Sequence, residues 1–331
     1  MKLGTRGSHL ALTQSGMVAR DVERLRPGLS VELVAIKTTG DNVTDVALSR
    51  IGDRGLFVKE IEHALLEGSV DFAVHSMKDM PTALPEGLCI ACVPRRLPPF
   101  DCLVSVNAER FEKLPRGARL ATGSLRRRAQ IASARPDISL EEIRGNLPTR
   151  IRKISEQGFD GTILALAGLS RLGVPGLLDG RTPVRFRVPE DWGEQVGGQE
   201  VWISPIPPAV CLPAVGQGAL CIEAREDNAE VLALLERLQD RDSRAAVDCE
   251  RALMRALEGG CQVPVGGWAR VENGRLRVDA ILATVDGRDV LRAEAEGALT
   301  EAEALGRAVA DDLLAQGGAS IIGGLRESMP G

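Results

Sequence analysis

The chain has no tyrosine, and its three tryptophans and six phenylalanines bring aromatics to only 3% of 331 residues. That scarcity argues against a nucleic-acid surface built on base stacking. No Gly-x-Gly-x-x-Gly or Walker phosphate loop occurs. The longest apolar stretch, residues 163–169, falls well short of the ~20 residues a membrane span needs. The start, Met1-Lys2-Leu3-Gly4, lacks the apolar core and small-residue cleavage site of an export signal. Histidines 9, 63 and 75 have no metal-ligand spacing, and seven cysteines (89, 92, 102, 211, 221, 249, 261) form an odd, uneven set. The expectation is a cytoplasmic protein with reduced thiols, no metal, no membrane and no nucleic-acid partner.

Lysine is also scarce. Six of the 41 basic residues are lysine and 35 are arginine. A GC-rich genome enriches arginine without functional cause, yet arginine is also the side chain that grips carboxylates with a planar fork. Position separates the two explanations. The chain carries a net charge of −5, but residues 95–153 hold 14 bases against 6 acids. An acidic protein that gathers its positive charge in one segment attracts an anionic ligand there.

Elements follow from periodicity. Residues 2–6 read as a strand, 9–25 as a helix stopped by Pro27-Gly28, 31–37 as a strand, 57–66 as a helix, and 70–75 and 88–93 as strands. The polar stretch 38–55 reads as a mobile loop. A second α/β set follows: strands at 103–106, 119–122 and 161–165, with helices at 125–134 and 149–157. Residues 173–212, rich in Gly and Pro, read as a long connection that holds Trp192 and Trp202. Helices at 226–238 and 243–257 precede strands at 263–271, 276–284 and 290–296, joined by the hairpin signals Asn273-Gly274 and Asp286-Gly287, and a last helix at 301–315.

Four motifs carry chemistry. His75-Ser76-Met77-Lys78-Asp79-Met80-Pro81 lies past the carboxyl end of a strand, where open α/β sheets place ligands. Asp79 beside Lys78 stays ionised and can stabilise a developing cation. A paired surface carboxylate is an equally good reading of those two residues. Thr122-Gly123-Ser124-Leu125-Arg126-Arg127-Arg128 takes a strand through a Gly turn into a helix. Three arginines in a first turn oppose the helix dipole unless an anion joins them, and an external anion is the expected partner. Arg6-Gly7-Ser8, Arg144-Gly145-Asn146 and Arg150 lie at similar strand–helix junctions. Finally, Glu258-Gly259-Gly260-Cys261-Gln262-Val263-Pro264 puts a thiol on an accessible turn suited to covalent chemistry.

In order and spacing, these motifs resemble the porphobilinogen deaminase (hydroxymethylbilane synthase) family over nearly the whole chain. The resemblance extends to Thr5–Ala11, Gly55–Glu60, Ala167–Gly173, Leu212–Ala219 and Leu257–Pro264. It implies an ammonia-releasing transferase of tetrapyrrole (haem-type) biosynthesis. Such an enzyme condenses four porphobilinogen molecules head to tail onto a dipyrromethane cofactor and then releases hydroxymethylbilane by hydrolysis. By resemblance the cofactor is thioether-linked to Cys261 and held by Lys78, Asp41, Thr122, Ser124, Arg126 and Arg127. Asp79 is the implied catalytic carboxylate, stabilising the azafulvenium cation formed as ammonia leaves. Arg6, Ser8, Arg144, Arg150 and Arg171 are the implied contacts to substrate carboxylates, and residues 41–55 the mobile lid. The implied fold has two doubly wound, periplasmic-binding-protein-like α/β domains and a C-terminal α+β domain with a three-stranded antiparallel sheet. The expected boundaries are 1–96 with 213–238, 97–212, and 239–331, in a monomer.

Departures from the family pattern are Gly123 for a serine, Pro148 in Asn146-Leu147-Pro148-Thr149-Arg150, Phe100 for an arginine in Pro98-Pro99-Phe100-Asp101-Cys102, and a longer segment at 174–210. Proline in a first helical turn is tolerated, so Arg150 is expected to keep its place. Two other readings remain: a non-catalytic two-lobed binder of a small carboxylate, and a thiol redox protein using Cys89 and Cys92. The predicted strand placement of that pair, which points the two side chains apart, disfavours the second.

Overall fold

A computed structural model describes residues 1–42, 58–192, 196–257 and 263–327, with residues 41–42 and 326–327 described by backbone alone. The chain begins with β1 (Lys2–Arg6), α1 (His9–Leu25), β2 (Glu32–Ile36), a single turn α2 (Thr39–Asn42), α3 (Lys59–Leu66), β3 (Phe72–Ser76) and β4 (Leu88–Cys92). It continues through β5 (Asp101–Ser105), β6 (Arg119–Ala121), α4 (Leu125–Ala134), β7 (Ser139–Glu141), α5 (Leu147–Glu156), β8 (Gly161–Ala165), α6 (Leu166–Arg171), β9 (Val184–Arg187) and β10 (Glu200–Pro205). It then returns through β11 (Leu220–Arg225) and α7 (Ala229–Glu236) to α8 (Arg241–Ala256), β12 (Val265–Glu272), β13 (Arg275–Ala283), β14 (Val290–Gly297), α9 (Ala302–Leu313) and α10 (Ala319–Glu327).

Three sheets result. The first has the order β2-β1-β3-β11-β4, with β11 antiparallel to both neighbours. The second is β7-β6-β8-β5-β10-β9, and the third is the meander β12-β13-β14. In each of the first two, a parallel triplet is flanked by an antiparallel strand, β11 in one and β5 in the other. Both lobes are thus doubly wound, with helices covering a sheet whose strands are apolar on both faces. The chain crosses between them at residues 93–101 and again at 205–220. Among the described residues no helix is long and apolar enough to cross a membrane.

Residues 173–212 are more ordered than their composition suggested. β9 and β10 add two antiparallel strands to the second sheet. Val174, Leu177, Val188, Trp192, Val196 and Val201 complete its core. Weak periodicity hid the strands because β9 is an edge of only four residues. Part of the stretch expected as a loop at 38–55 is also helical, at Thr39–Asn42. Its remainder from residue 43 lies outside the described residues, as does most of the expected lid.

One buried polar group in the first lobe is unusual. His75 on β3 hydrogen-bonds Glu223 on β11 (Nε2···Oε2 3.1 Å), and Glu62 on α3 lies in the same electrostatic environment. Oε1 of both glutamates is buried without a hydrogen-bond partner among the described residues. Burial, reinforced by Glu223 and opposed by His75 and Lys59, raises Glu62 to about 7. A carboxyl with a raised folded-state pKa contributes most stability below its unfolded pKa, and that contribution is lost as pH rises through 7. The melting temperature should therefore fall between pH 5 and pH 8. Glu62→Gln should flatten that dependence and add roughly 2 kcal/mol at pH 8. Parallel pH–melting profiles of the two proteins would refute this assignment.

Candidate active site

Every strand whose carboxyl end faces the cleft hands over to a helix or turn at that edge, and the expected site residues sit at these handovers. After β1, Ser8 caps α1 by accepting from the Ala11 amide (3.3 Å). Arg6 lies at the last position of β1. After β6, Ser124 caps α4 by accepting from the Arg127 amide at 3.4 Å. Buried Thr122 Oγ1 accepts from the Ser124 amide at 3.3 Å. After β7, Asn146 caps α5, accepting from the amide and hydroxyl of Thr149 at 3.0 and 2.8 Å. Pro148 falls in the first turn, and Arg150 stays in place with Nε donating to Gly145 O at 2.8 Å. After β8, α6 ends in Arg171.

Past β3 the chain makes a tight turn over Met77–Asp79. Met77 is buried and its amide donates to Ala219 O at 3.0 Å. That pairing holds the Asp79 turn against residues 214–219. Gly216 makes the approach possible: its φ is +73°, and a Cβ there would lie 2.7 Å from Met77 Cγ and 3.1 Å from the Lys78 amide. The side chains of Lys78 and Asp79 face solvent. Asp79 makes no hydrogen bond among the described residues.

Arg126 and Arg127 differ from expectation. Both are buried, and both point at Asp101, the first residue of β5, which is fully buried. Arg126 Nη1 donates to Asp101 Oδ2 at 2.7 Å and to Leu212 O at 2.5 Å. Arg127 gives Nε and Nη2 to Asp101 Oδ1 at 3.0 and 2.7 Å and Nη1 to Ile163 O at 2.7 Å. Gln217 adds a third donor to Asp101, Nε2 to Oδ1 at 2.9 Å. Burial alone would raise this carboxyl, but the two guanidiniums hold it well below the usual range. The anion at the start of α4 is therefore supplied by the protein itself. Arg126 Nε and Nη2 carry no hydrogen bond among the described residues and remain available.

Arg150 and Arg171 have no such partner among the described residues. Arg150 is desolvated and repelled by Arg127 and Arg144, which depresses it to about 10. Desolvation alone depresses Arg171 to about 10; its Nη2 donates to Gly218 O at 2.7 Å while Nε is buried with no partner. Although its side chain reaches solvent, the protein packed around Lys78 desolvates it and lowers it, aided by Arg127 and Arg126 against the opposing pull of Asp79 and Asp101. A guanidinium stays charged at any working pH. Its depression therefore records the cost of desolvating a charge that is not fully compensated. Arg144 pairs loosely with Glu142, Nε to Oε1 at 3.6 Å.

Lys78, Arg127, Arg144 and Arg150 thus form one electrostatic cluster across both lobes, with Asp79 at its edge. Arg171 sits on the segment that holds the Asp79 turn. The structure gives no side-chain placement for Asp41, and Cys261 lies outside the described residues. Residue-type reasoning missed Asp101 and Gln217. The available signal was an acid at the head of an apolar strand inside the most basic segment.

The strand–helix junctions of this two-lobed α/β protein thus gather partly buried, desolvated arginines. Residues 1–233 match the family described as porphobilinogen deaminase, dipyromethane cofactor binding domain, and residues 245–315 match porphobilinogen deaminase, C-terminal domain. The porphobilinogen deaminase of Desulforudis audaxviator is 47% identical over 324 residues, covering 98% of this chain and 97% of the relative. That of Desulforamulus reducens is 46% identical over 320 residues (97% and 96%), and that of Syntrophus aciditrophicus is 43% identical over 330 residues, all of both chains. The chain belongs to the porphobilinogen deaminase family, whose members are transferases.

Asp101→Asn should leave two buried guanidiniums short of a counter-charge. Unfolding free energy measured by denaturant at pH 7 should fall by about 3–5 kcal/mol. Because the folded-state pKa of Asp101 is depressed, its contribution is complete above the unfolded value and lost as pH falls. The gap between wild type and variant should narrow only below about pH 4. A loss under about 1 kcal/mol would show that Asp101 is not the counter-ion of this cluster.

Proposed function

We propose that this chain is an active porphobilinogen deaminase that builds hydroxymethylbilane from four porphobilinogen molecules on a dipyrromethane attached to Cys261. The observation that carries the reading is Asp79, a carboxylate without a hydrogen-bond partner among the described residues, which acts on Lys78 in a cluster that continues through Arg127 to Arg150.

The residues present fit the cofactor. Its acetate and propionate groups would supply the anions that Arg150 and Arg171 lack among the described residues, where Arg126 also has two donors without a partner. We assign its retention to Cys261, Lys78, Asp41, Thr122, Ser124, Arg126 and Arg127. Thr122 and Ser124 contribute chiefly by shaping the turn that presents Arg126. When bound, the dipyrromethane supplies the nucleophilic pyrrole carbon from which the product grows.

Arg6, Ser8, Arg144, Arg150 and Arg171 orient the incoming porphobilinogen through its carboxylates. Asp79 then accepts a hydrogen bond from the substrate pyrrole N–H. As the C–N bond breaks, ammonia takes the electron pair and positive charge develops on the ring, where the fixed Asp79 carboxylate stabilises it. After the new C–C bond forms, Asp79 accepts the proton whose loss restores aromaticity.

We read the domains as 1–96 with 213–238, 97–212, and 239–331, in a cytoplasmic monomer. Cys89, Cys92, Cys102, Cys211, Cys221 and Cys249 are free thiols, which suits a reducing compartment. The alternative of a carboxylate-binding protein leaves Asp79 without purpose, since a carboxylate at the mouth of an anion site weakens binding.

Intact mass spectrometry should show an excess equal to two linked pyrrole units on the Cys261 peptide, and an unmodified Cys261 in active enzyme would sink the proposal. Asp79→Asn should keep the circular dichroism spectrum and the mass excess yet lower kcat by about 10²–10⁴-fold. Near-normal turnover would remove Asp79 from its role. The Lys78 ammonium is needed charged and its pKa is lowered, so KM for porphobilinogen should rise on the alkaline side. Lys78→Gln should raise KM throughout and abolish that limb; an unchanged limb would mean another group titrates there.

A further inference from the structure

Phe100 stands where the family pattern has an arginine, and the structure shows what it touches. Its ring meets Trp268 on β12 edge-to-face, centroids 5.3 Å apart at 78°. Arg270 lies over the Trp268 ring at 3.9 Å and is itself held by Glu272 at 2.8 Å and by Asp279. On its other flank, Phe100 receives the turn at Gly180, within the segment that exceeds the family's usual length. A Cβ on Gly180, whose φ is +64°, would lie 2.7 Å from Cδ2 and Cε2 of the Phe100 ring. Asp179 fixes that turn by accepting from the amides of Arg181 and Thr182 at 2.9 and 3.1 Å.

The position of Phe100 gives this contact its meaning. It directly precedes Asp101, and its carbonyl accepts from the Leu166 amide at 3.0 Å, at the start of the helix that ends in Arg171. Trp268 belongs to the strand that enters the third sheet. β12 also runs close to residues 212–213, with the Gly267 amide donating to Pro213 O at 2.9 Å. Three parts of the chain therefore meet at one ring: the longer segment, the crossover that carries the arginine counter-ion, and the third sheet.

We infer that Phe100, clamped between Gly180 and Trp268, is a positioning residue that sets β12 against the arginine cluster, and that the longer 174–210 segment is its brace. The inference rests on the deaminase reading for its catalytic consequence, though not for its structural one. Phe100 is assigned no contact to substrate or cofactor. It acts by fixing the third sheet relative to α4 and α6, so its loss affects the growing chain most when that chain is longest.

The test uses holoenzyme with limiting porphobilinogen, read by intact mass, together with amide hydrogen exchange. Phe100→Ala should retain the full two-pyrrole mass excess. Its population of species carrying three and four added units should fall about threefold relative to those carrying one and two, the size expected for losing one aromatic pair. Amide exchange should quicken in both 176–182 and 265–272, while Phe100→Tyr should behave as wild type. Gly180→Ala should shift exchange and species distribution in the same direction. Gly117→Ala, which has a similar φ of +76° but nothing within 4 Å of its Cβ, should not. In a Trp268→Ala background, Phe100→Ala should quicken exchange in 265–272 no further. Faster exchange confined to one of the two segments, full additivity with Trp268→Ala, or an unchanged species distribution would each overturn the inference. If wild type forms no species with added units, the deaminase reading fails instead, and the exchange measurements still decide whether the clamp exists.

Discussion

The architecture depends on one buried carboxylate. Asp101 is fully buried and accepts from Arg126, Arg127 and Gln217. An ion pair removed from water gains little net stability over an apolar isostere, because desolvation offsets the attraction. Its value lies in geometry. Two arginine forks and an amide converge on two oxygens, and few arrangements of α4, β5 and the 212–218 segment satisfy all of them at once. Breaking any one contact leaves a buried charge or dipole unpaired, so the cluster resists relaxing into alternatives.

From Asp101 the constraint spreads to all three sheets through Gln217. Its side chain also donates to Pro99 O at 2.6 Å, and its backbone carbonyl accepts from Arg96 Nε at 2.8 Å. Arg96 pairs with Glu250 on α8 at 2.7 and 3.1 Å. Glu250 in turn accepts from the amides of Gly216 at 2.6 Å and Ala269 on β12 at 2.8 Å. A continuous polar chain therefore runs from the arginine helix through both crossovers to the third sheet. It passes Gly216, where the backbone lies against the turn that presents Asp79. The same segment supplies the Gly218 carbonyl to Arg171. The Asp79 turn, the arginine helix and the third sheet are positioned by one network rather than by three separate ones.

Much of this was legible in the sequence because it rests on local rules. Ser8, Ser124 and Asn146 cap their helices as residues of those types do at a strand–helix junction. The 9–25, 125–134 and 161–165 elements follow from clean apolar periodicity. What local rules missed has two causes. β9 and β10 gain their order from an edge pairing and a shared core, which no window of a dozen residues records. The partner of Arg126 and Arg127 was sought outside the protein because Asp101 is 25 residues away in sequence and meets them only through the sheet. Long-range pairing also joins His75 to Glu223 across 148 residues.

The arginine excess now divides by environment. Arg126 and Arg127 are neutralised internally and form part of the frame, whereas Arg150 and Arg171 are desolvated with no carboxylate partner among the described residues. Lysine could not fill the first role, because one ammonium cannot bridge Asp101 and a strand carbonyl with the fixed angles of a fork. The second role also favours arginine: a lysine so desolvated would surrender its proton, as the lowered pKa of Lys78 already foreshadows, whereas a guanidinium keeps its charge. A site that must hold a lengthening polyanion needs cations that stay charged while partly buried, on a frame that does not move to meet them. The compensated pair supplies the frame, and in the reaction proposed above the uncompensated pair would supply the attraction. The division follows from where Asp101 sits, because it neutralises the start of α4 and leaves the start of α5 and the end of α6 positive.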